Sequence, residues 1–149
     1  MQLVDLNPHD PEVVNVFSDI DRLINSLYPV ATAQSLSLEE LAEPNVYAIG
    51  FSLGALVCYE IISSLDKELG AIFPISGFIN NKINLNIAQK NTPIIIGHGI
   101  NDSIVPPERS EEAYQQLSKQ TSNVEFMKYD AQHNIPIKML TKIAQIIEK

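Results

Sequence analysis

The sequence holds a single cysteine, Cys58, among 149 residues, which excludes any disulfide within the chain. Set between Leu56, Val57 and Tyr59, it reads as a small buried hydrophobe. No apolar run approaches the roughly 18 residues of a membrane span, and the opening MQLVDLNPHD has neither a basic start nor an apolar stretch of the signal-peptide kind. No membrane span and a cytoplasmic location are the expectations. Clustered Lys and Arg are missing too: the formal net charge of −8 repels phosphate backbones, so no nucleic-acid partner is expected. The three histidines, His9, His98 and His133, are scattered without metal-ligand spacing, and neither a metal nor another cofactor is expected. What remains is 45% hydrophobic and 19% charged, enough for one globular domain over residues 1–149 with a real core.

Periodicity then places the elements. Gln2 to Leu6 suits an edge strand, and Asn7-Pro8 breaks it. Asp10 as N-cap, Pro11 at the first helical position, and Val13, Phe17, Ile20, Leu23, Ile24 and Leu27 at helical spacing predict an amphipathic helix ending near Pro29. Ser37-Leu38-Glu39-Glu40 reads as a capping box on a short helix or turn. Short apolar runs at Val46–Ile49, Ala71–Ile75, Ile94–Ile96 and Val124–Tyr129 predict strands. Ile94-Ile95-Ile96 does not alternate, as expected of a strand covered on both faces. Helical spacing follows each of the first, third and fourth runs, and the last helix is expected to bury Met139, Leu140, Ile143, Ala144 and Ile147. An Asn-rich stretch from Asn80 to Asn91 reads as surface loop. Strands alternating with helices give an α/β fold, three-layer α/β/α around a mostly parallel sheet.

Ligands of such sheets bind beyond the carboxyl ends of the strands. There the chain carries Gly50-Phe51-Ser52-Leu53-Gly54, a G-x-S-x-G pattern between strand and helix, in which a tight turn would lift the Ser52 hydroxyl clear of the sheet. Both glycines are expected to be required by crowding. Asp102 follows the Ile94 strand and His133 follows the Val124 strand. A serine hydroxyl needs a base within hydrogen-bond reach, and the base needs a carboxylate to fix its tautomer. Ser52, Asp102 and His133 supply these roles in the chain order of the α/β-hydrolases. The bland alternatives are Ser52 as a helix N-cap, Asp102 as a turn residue and His133 as a solvated loop residue. His98 is a rival base better suited to supporting its turn, and Asp130 is a rival acid.

GFSLGA, SGFI after the next strand, HGINDSIVP, and a late histidine before an amphipathic helix together resemble the phospholipase/carboxylesterase family of α/β-hydrolases, which includes the acyl-protein thioesterases. The resemblance implies a serine hydrolase that cleaves carboxylic esters or thioesters of small-molecule or acyl-chain substrates. In it Ser52 is the nucleophile, Asp102 the acid, His133 the base, and the Leu53 backbone N–H an oxyanion donor. The family's earlier strands and its H-G-x-G oxyanion loop have no counterpart here, which implies an N-terminally shortened hydrolase fold. Loss of one oxyanion donor costs about 3–4 kcal/mol in related chemistry, so weakened turnover is expected, with a binding or assembly module as the alternative. A homodimer that covers the exposed edge of the Val46–Ile49 strand is also expected.

Overall fold

The computed structural model describes residues 46–149. The strand expected at Gln2–Leu6, the helix expected from Asp10 to Pro29 and the turn expected at Ser37–Glu40 lie outside the described residues. Strands β1 (Tyr47–Phe51), β2 (Ala71–Ile75), β3 (Ile94–Gly99) and β4 (Val124–Tyr129) pair in parallel, in the order β1-β2-β3-β4. Helices α1 (Leu53–Ser64), α2 (Glu108–Leu117) and α3 (Ile137–Ile147) follow β1, β3 and β4. No helix among the described residues is long and apolar enough to cross a membrane.

Alternation along the strands divides the core in two. Ile72, Ile94 and Ile96 face Ala55, Cys58, Tyr59 and Ile62 of α1 and Ala113 and Leu117 of α2. Phe73, Ile75 and Ile95 face the other way, onto Met139 and Ile143 of α3. Three layers result, and the unbroken isoleucine run of β3 follows from cover on both faces. Each such side chain, removed from water, contributes about 1.5–3 kcal/mol. β3 runs further than its apolar triplet suggests: Gly97, His98 and Gly99 stay in the sheet, opposite Met127, Lys128 and Tyr129. Among the described residues β1 lies at a sheet edge, and its Ile49 is exposed.

Two expectations need correction. In α3 only Met139 and Ile143 are buried, with Ile146 half-buried beside them, while Leu140, Ala144 and Ile147 are exposed. Among the described residues α3 packs on the sheet through Met139, Ile143 and Ile146, and its apolar stripe is wider than that contact. The Asn-rich loop is not all surface either. Ile83 packs into the core, and Gln89 is fully buried in a 3-10 turn, Ile87–Gln89. Its amide Nε2 donates to the carbonyls of Leu65 and Lys67, while Oε1 accepts from the Leu69 N–H at 3.4 Å and the Thr92 hydroxyl at 2.9 Å. One side chain thus ties the end of α1 to the entry of β3, satisfying backbone groups that the connection between α1 and β2 leaves without sheet or helix partners. Gln89→Leu should therefore lower the unfolding free energy by about 2–4 kcal/mol in urea titration, because it strands several buried polar groups.

Candidate active site

β1 ends against the turn that carries Ser52, and three features make that turn sharp. Ser52 has φ 54° and ψ −114°, outside the regions an L-residue favours. Its N–H donates to the carbonyl of Ile75 at 2.8 Å, and its carbonyl accepts from the Ala55 N–H at 3.0 Å. A Cβ on Gly50 would stand 2.1 Å from the Gly54 carbonyl oxygen and 2.8 Å from the Cys58 sulfur, so only glycine fits there. Gly54 differs from the expectation: among the described residues nothing lies within 4 Å of a Cβ at that position. Close approach of strand to helix therefore bears on one glycine of the pattern. Ser52 is the N-cap residue of α1, yet its side chain makes no capping hydrogen bond. The hydroxyl is turned the other way.

It meets His133. Nε2 of His133 lies 3.0 Å from Ser52 Oγ, and Nδ1 lies 2.7 Å from Asp102 Oδ2. The carboxylate can only accept from Nδ1–H, which leaves Nε2 free to accept the serine proton. The loops that carry the acid and the histidine are joined through their backbones, with Ile100 N–H donating to Tyr129 and Asn101 N–H to Ala131. That approach depends on Gly99, where a Cβ would stand 2.3 Å from the Ala131 carbonyl oxygen. Asp130, the rival acid, is exposed and accepts from Asn101 Nδ2 at 2.7 Å, bracing the same junction. The Phe51 ring stands beside His133, centroids 4.8 Å apart.

Asp102 is buried, and Oδ1 accepts from the N–H groups of Ile104 and Val105, both at 2.9 Å. Burial pushes its carboxyl up, but the hydrogen bond from His133, the two backbone donors and attraction to His133 outweigh it, holding the group below its ordinary value of 3.8. The Leu53 N–H, first in α1, has no intrahelical partner, and its side chain is exposed. Cys58 is buried, and that burial raises its thiol to about 11, which removes it from thiolate chemistry at neutral pH.

The model of the phospholipase/carboxylesterase family matches residues 1–149. The chain belongs to that family. None of the curated proteins matches it. Among solved structures, Arabidopsis thaliana SOBER1 is similar at 23% identity and TM-score 0.64, over 91% of this chain and 62% of that one. Esterase PE8 is similar at 24% identity and TM-score 0.63, over 91% and 60%. The Bacillus cereus carboxylesterase is similar at 21% identity and TM-score 0.63, over 74% and 55%. At these identities the likeness is one of fold. The chain spans less than two thirds of the length of these structures.

Other features point away from the rim or were silent in sequence. A cleft of about 570 Å³, lined by Gly70, Pro93, Asn123, Glu125, Lys142 and Lys149, lies at the amino ends of the strands, opposite to Ser52. Ligands of parallel sheets bind at the carboxyl ends, which favours the Ser52 rim as the chemical site. Among the described residues no group of three or more His, Cys, Asp or Glu side chains is placed to hold a metal ion. Ser76, which follows β2 on the same rim, is fully buried at φ 50°, and no sequence signal marks it beyond the glycine that follows.

The acidity of Asp102 sets a pH dependence. Its carboxyl is more acidic folded than unfolded, so its stabilising contribution is complete above the ordinary value and is lost as pH falls through the folded one. Asp102→Asn should cost about 1–3 kcal/mol in urea unfolding at neutral pH, and the gap to the parent should close as pH drops below 3.8.

Proposed function

We propose that the chain is a serine hydrolase acting on carboxylic esters or thioesters. One observation carries the reading: His133 is in hydrogen-bond distance of Ser52 on one nitrogen and of Asp102 on the other. In this mechanism Ser52 Oγ attacks the acyl carbonyl carbon while His133 Nε2 takes its proton. Asp102 keeps the ring in the Nδ1–H tautomer and stabilises the imidazolium that forms. The Leu53 N–H, at the positive end of α1, donates to the developing oxyanion. The imidazolium returns its proton to the departing alkoxide or thiolate, leaving an acyl group on Ser52. Water, activated by the same ring, then releases the carboxylic acid.

Three further facts support this reading. The positive φ of Ser52 holds the hydroxyl away from the capping role that would occupy it. The exposed Leu53 and the Phe51 ring beside His133 offer apolar contact to an acyl chain. Membership of the phospholipase/carboxylesterase family agrees with the same chemistry.

Exposure of the folded protein to a fluorophosphonate, followed by intact mass measurement, tests the reading. One adduct is expected on the parent and none on Ser52→Ala or His133→Ala. An unlabelled, folded parent would contradict the proposal.

A further inference from the structure

Behind Asp102 lies a second buried histidine, and its hydrogen-bond directions are constrained by its neighbours. His98 is fully buried in β3. Its Nε2 stands 2.9 Å from the Val105 carbonyl oxygen and 3.3 Å from Asp102 Oδ2. Both neighbours are acceptors only, so Nε2 must carry a proton. Nδ1 lies 2.6 Å from Ser110 Oγ, and that hydroxyl is 3.2 Å from the Gly77 carbonyl oxygen. Ser110, in the first turn of α2, therefore fixes the ring from its other edge. Tyr59, from α1, is buried beside Ser110.

The Val105 contact matters because the same residue holds the acid. Its carbonyl accepts from His98, while its N–H donates to Asp102 Oδ1 at 2.9 Å. The ring thus pins the turn of residues 102–105 from β3 and adds a favourable dipole at Oδ2, the oxygen to which His133 is bonded. Besides this ring, the turn is held by the Asp102 N–H to Gly99 bond at 3.2 Å, the His133 bond to Asp102 at 2.7 Å, the Asn101 N–H bond to Ala131 just before it, and its own internal contacts.

We propose that His98 is a positioning residue: through its Nε2–H it holds Val105 and faces Asp102, and so fixes the carboxylate that orients His133. This rests on the hydrolase reading for its effect on rate, but its structural content can be measured without substrate. A misplacement of about 1 Å transmitted from a neighbouring side chain can cost about 100-fold in rate.

Two amide substitutions separate the donor from mere bulk. In His98→Gln the amide nitrogen can occupy the place of Nε2, whereas in His98→Asn it reaches only as far as Nδ1. The low-field proton resonance of the His133 to Asp102 hydrogen bond, assigned by its loss in His133→Ala, should persist in His98→Gln and shift or vanish in His98→Asn. For hydrolysis of a p-nitrophenyl ester, kcat should stay within about threefold of the parent in His98→Gln and fall up to about 100-fold in His98→Asn, with KM little changed. Equal behaviour of the two variants overturns the proposal. Nitrogen-15 spectra of the histidine-labelled parent give a second test that needs no variant: a protonated Nε2 on His98 is expected, and an unprotonated one overturns the assignment. If the resonances behave as expected while no ester is cleaved, the hydrolase reading fails and the placement of His98 stands.

Discussion

One imidazole ring holds three separate loops in register. His133 reaches Ser52 after β1 and Asp102 after β3, although 81 and 31 residues of chain separate it from them. A parallel sheet makes this inexpensive. Every strand delivers its following loop to the same rim, so residues far apart in sequence need only short loops to meet. The sheet in turn depends on cover by α1 and α2 on one face and α3 on the other. The rim geometry is therefore a consequence of the core, and the hydrogen bonds of His133 are its finest adjustment.

Strain and burial are both concentrated at this rim. A positive φ at a non-glycine residue costs on the order of 1–3 kcal/mol, and Ser52 and Ser76 both adopt one. At Ser52 the conformation is held by the bond to Ile75 and by Ala55, Cys58, Tyr59 and Ile62, which seat α1 on the sheet. The buried carboxylate of Asp102 is tolerated because donors surround it: two backbone N–H groups on one oxygen, and His133 with the His98 dipole on the other. A buried charge so placed stays ionised and cannot swing away from the base.

Much of this was legible in sequence, and the reasons are physical. Short apolar and alternating runs mark the four strands of the described residues, because burial on one or both faces dictates those patterns. Ser52, Asp102 and His133 were nominated by type, chain order and position after strands, which is also where the structure brings them together. Hidden from sequence were features that depend on three-dimensional closeness. Gln89 looks like one more polar loop residue until its amide is seen to bridge Leu65, Lys67, Leu69 and Thr92. In sequence His98 suits a support for its turn, but its reach to Val105 and Asp102 requires β3 to continue past the isoleucines. The excess apolar stripe of α3 misled for the opposite reason: helical spacing marks a face without saying how much of it the sheet will cover.

The central claim is that the rim turns an ordinary serine hydroxyl into a nucleophile. Rapid mixing of the folded protein with p-nitrophenyl acetate, followed by acid quench and peptide mass mapping, tests it at the atom concerned. The account predicts an acetyl group on the peptide that contains Ser52, formed together with one equivalent of p-nitrophenolate and absent when His133 is replaced by alanine. Acetyl transfer to lysines alone, or release of p-nitrophenolate with Ser52 unmodified at every quench time, would contradict it.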